Sequence, residues 1–273
     1  MPELPEVETV VRGVRGSLVG HTALEAWSDW PRIVRGTTAE AFTSRVRGQT
    51  FRAVTRRAKY ILCQLDHDLL VVHLKMTGRL YVAPDDAVYD ADRWLHFRLQ
   101  LDGGQQLRFS DARKFGLVAL VSRFDEIAPA LGPEPLEDEF AVPDFAARLA
   151  RRSTPIKAVL LDQSVVAGVG NIYADEALFL ARIHPLRPAS SLRAEEIAAL
   201  HGAIRVVLLE GIEREGASIQ WYRKPDGTTG SAQTALAVYG REGQPCINCG
   251  APIEKIRVAQ RGTHFCPVCQ QRS

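Results

Sequence analysis

The sequence lacks the features that mark a membrane or secreted protein. No apolar run approaches the roughly 18 to 20 residues that a transmembrane helix needs, and no basic region followed by an apolar stretch opens the chain, so we expect no signal peptide. A strong net charge is also missing, because 34 basic residues nearly balance 32 acidic ones. The balance is uneven, since residues 124–147 contain seven acids and neither lysine nor arginine. We expect a monomeric cytoplasmic protein with local basic surfaces, which permit a nucleic-acid partner without requiring one.

Cysteine is scarce, with five residues in the chain. Cys246 and Cys249 form one C-x-x-C pair, and after 16 intervening residues Cys266 and Cys269 form a second. This spacing is typical of a structural zinc ribbon, in which four thiolates enclose one Zn²⁺ and leave no open position. Free or redox-active cysteines are the alternative. Cys63 lies in an apolar strand pattern, which favours a position in the core.

Hydrophobic periodicity separates an early helix, a strand-rich part and a helical part. Apolar residues at helical spacing predict a helix from Leu4 to Leu18, with Pro5 suited to its first turn and Gly20 to its end. Short apolar runs predict strands, and the Asp-Gly-Gly sequence at 102–104 predicts a hairpin turn. The clearest strands are Tyr60–Leu65, Leu69–Leu74, Leu95–Leu101 and Leu117–Val121, and the later helices are Phe145–Arg151, Ile156–Asp162, Asn171–Ala181 and Ala194–Glu213.

These patterns predict an α+β fold in four parts. A β-sandwich with its N-terminal helix covers residues 1–131, and a linker that contains glycine and proline covers 132–140. A helical domain covers 141–237 and includes a polar, glycine-rich loop at 216–235, and the zinc-ribbon finger with its β-hairpin covers 238–273. Basic residues from Lys255 to Arg261 lie between the two cysteine pairs. They indicate nucleic-acid contact, although many zinc ribbons mediate only protein contacts.

The first residues carry an unusual combination of groups. Removal of Met1 would expose the secondary amine of Pro2, and an α-amino group has a pKa of roughly 8, so that on the order of a tenth is neutral at pH 7. Such an amine is a ready nucleophile, and a carboxylate at Glu3 could assist proton transfer. The alternative is structural, because Glu3 and Glu6 would also favour the positive end of the helix dipole.

Eight blocks of this sequence resemble, in the same order, those of the formamidopyrimidine-DNA glycosylases, bacterial enzymes that remove 8-oxoguanine and ring-opened purines. Together they cover essentially the whole chain. They are Pro2–Thr9, Arg56–Tyr60, His73–Gly78, Asp111–Gly116, Leu131–Leu136, Gly168–Tyr173, Val238–Arg241 and the cysteine ribbon with Ala259–Arg261. The resemblance implies a glycosylase and abasic-site lyase that acts on oxidised bases in double-stranded DNA.

The resemblance also implies the catalytic residues. Pro2 is expected to be the Schiff-base nucleophile and Glu3 the general acid, with Glu6 bracing the site from the same helix. Lys59 is expected beside the lesion and its 5′ phosphate, although a lysine on a strand often only extends along the surface. Arg261 is expected to hold the flanking phosphates.

Further contacts with DNA follow from the same resemblance. Asn171 heads a helix of a helix–two-turn–helix motif, where free backbone N–H groups can receive a phosphate. Glu176 is expected to support this site. Three residues are expected to replace the flipped base or hold its orphaned partner, namely Met76, Arg113 and Phe115; read without the resemblance, Met76 and Phe115 would be core residues. The remaining backbone contacts are His96, Arg151, Arg152 and Lys157.

Two other functions stay open at this point. One is a glycosylase of the endonuclease VIII type for oxidised pyrimidines, although its opening typically has glycine where this chain has Leu4. The other is a zinc-ribbon DNA-binding protein without catalysis, which would need neither Pro2 with Glu3 nor Lys59. Near the end of the glycine-rich loop, Ala232 stands where relatives often have an aromatic residue, so the preference among lesions is open.

Overall fold

The computed structural model describes residues 1–272, which form two compact units. The first unit contains Met1–Pro129 and Arg214–Ser231, and the second contains Ala130–Glu213 and the chain from Ala232 on. Within the described residues, no helix is both long and apolar enough to cross a bilayer.

Two sheets and one long helix build the first unit. The helices are α1 (Leu4–Leu18) and α2 (Ala39–Val46). The strands are β1 (Ala23–Trp27), β2 (Val34–Arg35), β3 (Ala53–Arg57), β4 (Tyr60–Gln64), β5 (Leu69–His73), β6 (Gly78–Pro84), β7 (Leu95–Leu101), β8 (Gln105–Asp111) and β9 (Leu117–Val121). One sheet has the order β1-β7-β8-β6 and the other β2-β9-β5-β4-β3, with only β2 and β9 parallel.

One hydrophobic core joins α1 to both sheets, as the predicted sandwich requires. The apolar stripe of α1 runs through Val7, Val10 and Val14, each 2% exposed or less. This stripe packs with Phe97 of one sheet and Ile61 of the other in the same buried cluster. The helical spacing therefore identified the buried face of α1 correctly, because that face lies along the core of a two-sheet sandwich.

Local turn chemistry was also predictive in this unit. The chain turns at Asp102–Gly104 between β7 and β8, where Gly103 and Gly104 have φ of 67° and 70°. Only glycine adopts that conformation without a steric cost from Cβ. Helix α1 ends at the predicted place, followed by Gly20 with φ of 94°.

Helices and one hairpin build the second unit. The elements are α3 (Val142–Ala150), α4 (Ile156–Leu161), α5 (Asn171–Leu180), α6 (Ala194–Glu213), β10 (Glu254–Val258) and β11 (Arg261–Phe265). Helix α5 is buried on nearly every side and packs against α6 and β11. Gly211 of α6 allows this approach, since a Cβ there would lie 2.6 Å from the ring of Tyr173. The predicted helices are confirmed to within a few residues at each end.

The compact units divide the chain differently from the predicted domains. The predicted linker packs into the second unit, where Gly132 donates to the carbonyl of Gln163 and Arg205 donates to the carbonyls of residues 135–137. The glycine-rich loop was predicted as part of the helical domain, but Arg214–Ser231 packs with the first unit. We call Arg214–Ser231 the capping segment. Its partners are distant in sequence, so composition alone did not indicate where it packs.

Candidate active site

The start of α1 places Pro2 and Glu3 in a buried position behind an exposed Met1. The Glu6 carboxylate links this start to the capping segment. Its Oε2 accepts a 2.7 Å hydrogen bond from the N–H of Glu3, and its Oε1 accepts one of 2.7 Å from the N–H of Ala217. The backbone beside Pro2 is therefore held by the carboxylate of Glu6, one helical turn further along the chain.

Lys59 lies in the turn between β3 and β4, directly after Ala58 with φ of 52°, and is 5% exposed. His73 is a neighbour of Lys59. The sequence assigned it no role, although it begins the block His73–Gly78. Burial, followed by the charges of Lys75 and Lys59, lowers the pKa of His73 to about 3. Nδ1 of His73 accepts from the N–H of Lys75 at 2.9 Å. Lys59 therefore has a neutral imidazole as a neighbour at physiological pH.

Met76, Arg113 and Phe115 come together on one surface of the first unit. Nη1 of Arg113 lies 3.0 Å from the Met76 sulfur, and its Cζ lies 4.7 Å from the centre of the Phe115 ring. Met76 is 39% exposed and Phe115 is 51% exposed, so neither is a core residue. The loop beneath them is held by the buried Asp111 carboxylate, which accepts from the N–H groups of Arg113, Phe115 and Gly116.

Two predicted DNA contacts have a buried polar atom without a protein partner. In the first unit, Nδ1 of His96 lies 2.8 Å from the Asp29 carboxylate, and its Nε2 is unpartnered. In the second unit, Nδ2 of Asn171 donates to the carbonyl of Gly262 at 2.9 Å, and its Oδ1 is unpartnered. An unsatisfied buried polar group costs roughly 1–3 kcal/mol, so such atoms are candidates for ligand or water contacts.

Lys157 does not lie on the surface, where the predicted contact with the DNA backbone requires it. It is fully buried, and its ammonium donates to Asp175 at 2.5 Å and to the carbonyl of Asn171 at 2.8 Å. The other oxygen of Asp175 accepts from the N–H of His264 at 2.9 Å. A side chain enclosed in this way cannot reach a DNA phosphate directly, so the predicted contact is corrected to a positioning role. It ties α4 to the N-terminus of α5 and, through Asp175, to β11.

The other predicted residues of the second unit take different positions. Arg151 and Arg152 are both exposed after α3, and Arg152 pairs with Asp162 at 3.2 Å. The buried Glu176 accepts from three consecutive N–H groups, those of residues 237–239. Burial raises the pKa of Glu176, while these N–H groups oppose the shift. Glu176 thus holds the chain that leads into the zinc ribbon, and its support of the site at Asn171 stays a prediction. Arg261 is exposed at the start of β11.

Backbone strain concentrates beside these side chains. Among residues 1–272, seven non-glycine residues have positive φ, and five of them lie within two residues of a predicted site residue: Ala58, Lys75, Lys114, Ala259 and Gln260. The left-handed conformation costs roughly 1–2 kcal/mol for a residue with Cβ. Strain of this kind typically clusters where a functional side chain must be presented in one direction. This pattern was invisible in the sequence, because none of the five is a glycine or asparagine.

The four paired cysteines form a metal site at the base of the β10–β11 hairpin. Their sulfur atoms lie within 4.8 Å of one another, with Cys246 and Cys269 at 3.9 Å and Cys249 and Cys266 at 3.5 Å. A tetrahedral Zn²⁺ with bonds of roughly 2.3 Å needs sulfur atoms about 3.8 Å apart, so the donor set fits zinc. Cys63 lies apart in the core, where burial raises the pKa of its thiol to about 12.

Three features together define a class of zinc-finger proteins with a helix–two-turn–helix domain. They are a strand-rich N-terminal unit, a helical unit in which tight turns join α4 and α5, and a four-cysteine ribbon. Three family models match in sequence. The N-terminal domain of formamidopyrimidine-DNA glycosylase matches residues 1–118, its helix–two-turn–helix domain matches 131–223, and the zinc finger found in this family and in isoleucyl-tRNA synthetase matches 243–272. The chain belongs to the formamidopyrimidine-DNA glycosylase family, and its four cysteines bind one structural Zn²⁺.

Relatives cover the whole chain. The formamidopyrimidine-DNA glycosylase of Herpetosiphon aurantiacus is 53% identical over 99% of this chain and 100% of its own length. The enzyme structure from Thermus thermophilus has 45% identity and a TM-score of 0.89, with full coverage of both chains. That of the Lactococcus lactis enzyme with DNA containing an abasic site has 40% identity and a TM-score of 0.90, and covers 98% of this chain and 99% of that one.

Proposed function

We propose that this chain excises oxidised purines from double-stranded DNA and then cleaves the strand at the resulting abasic site by β,δ-elimination. The observation that carries the proposal is the buried Pro2-Glu3 pair at the start of α1, held by Glu6. Relatives support the substrate class, since structures of the Lactococcus lactis enzyme contain DNA with an abasic site or with Fapy-dG.

The chemistry follows from a secondary amine at a sugar carbon. Once Met1 is removed, the neutral nitrogen of Pro2 forms a bond to C1′ while the C1′–N bond to the base breaks, and the proton that the Pro2 nitrogen loses balances the proton with which the base leaves. Glu3 supplies a proton as the sugar ring opens. The product is an iminium ion, which is cationic without further protonation and draws electrons from the C2′–H bond. Loss of that proton expels the 3′ phosphate. Loss of the C4′ proton from the resulting unsaturated iminium then expels the 5′ phosphate.

Lys59 and Arg261 are the proposed phosphate-binding cations of these steps. Lys59 has its ammonium beside the neutral His73, and we assign it the phosphate on the 5′ side of the lesion. Arg261 is exposed at a hairpin whose turn residues are conformationally strained. A charge-assisted contact with a phosphate is stronger than a neutral hydrogen bond, and the cation stabilises the departing anion.

Met76, Arg113 and Phe115 are the proposed wedge. A base must leave the duplex before C1′ can be attacked, which costs a few kcal/mol of stacking and pairing. The exposed thioether and ring can replace part of the lost stacking, and Arg113 can donate to the orphaned cytosine. We also assign to the DNA backbone His96, whose Nε2 has no protein partner, and Asn171, whose amide nitrogen is held by the carbonyl of Gly262.

Borohydride trapping tests the nucleophile. An iminium formed on an 8-oxoguanine:cytosine duplex is reduced to a stable covalent adduct, and the intact mass should show that the reactive protein lacks Met1. Pro2→Ser should abolish the adduct. Lys59→Met is the matched control, because it removes a buried primary amine that is assigned to a phosphate and keeps Pro2, so the adduct should still form. An adduct that survives Pro2→Ser as strongly would contradict the assignment.

Parallel duplexes separate the other two candidate functions. A stronger adduct with oxidised pyrimidines than with 8-oxoguanine would favour the endonuclease VIII type. Tight DNA binding with no adduct on any oxidised duplex would favour a non-catalytic zinc-ribbon protein.

A further inference from the structure

Two consecutive residues in the loop after β1 hold His96. The Ser28 hydroxyl donates to the carbonyl of His96 at 2.6 Å and accepts from the N–H of Trp30 at 3.2 Å. An oxygen of the Asp29 carboxylate lies 2.8 Å from Nδ1 of the His96 ring. The same short loop therefore fixes both the backbone and the side chain of His96, and with them the direction of the imidazole.

His96 also occupies an irregular position of its own strand. The pairing of β7 with β8 shifts register between Leu95 and Phe97, so His96 is the extra residue of a β-bulge. Bulges redirect a side chain and are common next to functional sites. The residue is 7% exposed, and within residues 1–272 its Nε2 has no hydrogen-bond partner. One nitrogen of the ring is thus held by a carboxylate, while the other remains for a ligand.

The contact with Asp29 decides which nitrogen of the neutral ring carries the proton. An ionised carboxylate only accepts hydrogen bonds, so the proton must lie on Nδ1, and Nε2 is then an acceptor. A phosphate oxygen in the DNA backbone is also an acceptor. The neutral ring therefore has nothing to donate to a phosphate. The imidazolium has an N–H on both nitrogens and can donate to Asp29 and to a phosphate together.

The other charged groups around this loop are cations. Arg32 and Lys114 lie against the Trp30 ring, at 5.7 Å and 4.6 Å from its centre, and Arg98 follows two positions further along β7. These groups make the local potential more positive, which favours a phosphate nearby. Asp29 is the carboxylate that contacts the imidazole itself.

We propose that Asp29 positions His96 as the Nδ1–H tautomer, so that a DNA phosphate at Nε2 is bound only with the uptake of one proton. The proposal rests on the proposed function in one respect, the assignment of His96 to the DNA backbone. On binding, a proton from solvent forms a bond to Nε2, and the new N–H donates to the phosphate oxygen. DNA affinity should therefore fall as the pH rises through the range in which the ring of the free protein is neutral.

Nitrogen NMR of the DNA-free, zinc-loaded protein tests the tautomer. His96→Gln identifies the signals of His96 among the seven histidines. The neutral ring should carry its proton on Nδ1 in the wild type. Asp29→Asn should weaken this preference, because an amide can donate to Nδ1 as well as accept from it. A neutral ring with its proton on Nε2, or a ring that is already cationic at about pH 8, would overturn the proposal.

Calorimetry of DNA binding measures the proton itself. A duplex with a tetrahydrofuran analogue of an abasic site binds without reacting, and titrations in buffers of different ionisation enthalpy give the number of protons taken up. Asp29→Asn and His96→Gln should each take up about half a proton to one proton fewer than the wild type. The Kd of the wild type should also rise more steeply with pH than that of either variant, by up to about tenfold per pH unit.

The matched control is His21→Gln. His21 and Asp102 form the same kind of pair in the same unit, with Nδ1 2.7 Å from the carboxylate, and neither residue is a predicted DNA contact. His21→Gln should keep the proton count of the wild type. Equal counts in the wild type, Asp29→Asn and His96→Gln would overturn the proposal. Failure of the proposed function looks different, since the borohydride adduct would then be absent while the tautomer and the proton count would stand.

Discussion

Replacing Asp175 by asparagine should destabilise the second unit by about 3–5 kcal/mol, the usual cost of breaking a buried ion pair by removing one partner. Both side chains of the Lys157–Asp175 pair are fully buried, and the ammonium and carboxylate lie 2.5 Å apart. Asparagine has the same shape but one oxygen. Whichever way the amide turns, its NH₂ group faces a donor, either the Lys157 ammonium or the N–H of His264.

A double-mutant cycle in urea measures this cost. Asp175→Asn, Lys157→Met and the double variant are unfolded with zinc bound, and the free energies of unfolding are compared. The double variant should lose less than the sum of the two single losses, because neither charge is then left unpaired. The matched control is Glu242→Gln, which removes an exposed ion pair with Lys255 in the same unit and should leave the urea midpoint unchanged.

Two results would refute the reasoning. One is a loss below about 1 kcal/mol for Asp175→Asn, which would mean that the pair is solvated or that its geometry relaxes at little cost. The other is strict additivity in the cycle. If the reasoning holds, the single variants should also release zinc faster, since Asp175 joins α5 to β11 at His264.

Four further predictions follow from the structure. Burial lowers the pKa of His73 to about 3. Below a pH of roughly 6.5 the unfolded chain therefore binds one proton more than the folded protein, and the free energy of unfolding should fall by about 1.4 kcal/mol per pH unit from there towards pH 3. His73→Gln should flatten the slope of the urea midpoint against pH. Cys63, with a thiol pKa raised to about 12, should resist iodoacetamide until the chain unfolds, and an alkylated Cys63 peptide in a digest of the protein treated in its native state would contradict this. Phe115→Ala should slow base release while the unfolding midpoint stays unchanged, because the ring is exposed; a lower midpoint would indicate a structural role. Zinc removal by chelation should weaken DNA binding through Arg261, and unchanged affinity in verified zinc-free protein would disprove the link.

Features encoded over short spans of sequence were predictable. Helix α1 needed only its apolar spacing, Pro5 and Gly20, and the turn at Asp102–Gly104 needed only its glycines. The zinc site needed two pairs of cysteines at a known separation, and their sulfur atoms do converge. The three residues of the predicted wedge lie together on the surface, with Arg113 contacting both Met76 and Phe115, and their role at the DNA stays a prediction.

Features that depend on distant partners were not predictable. Lys157 looked like a DNA contact, because nothing near it in sequence shows that Asp175 would enclose it. The capping segment was assigned to the helical domain, because its attachments to Glu6 and Trp94 lie more than a hundred residues away. The contact of Asp29 with His96 also joins residues that are distant in sequence, 67 positions apart. Burial of a charge depends on all its neighbours together, and a local pattern contains only a few of them.

The site around Pro2 combines features that the sequence determines with features that only the tertiary structure determines. The amino acids by themselves determined that a helix begins behind a terminal proline and that four cysteines bind zinc, because both depend on chemistry within a few residues. Tertiary structure alone decided which polar groups are buried, which are left without a partner, and which helix face receives the capping segment. These outcomes depend on desolvation and on contacts between distant segments, which exist only once the core has formed.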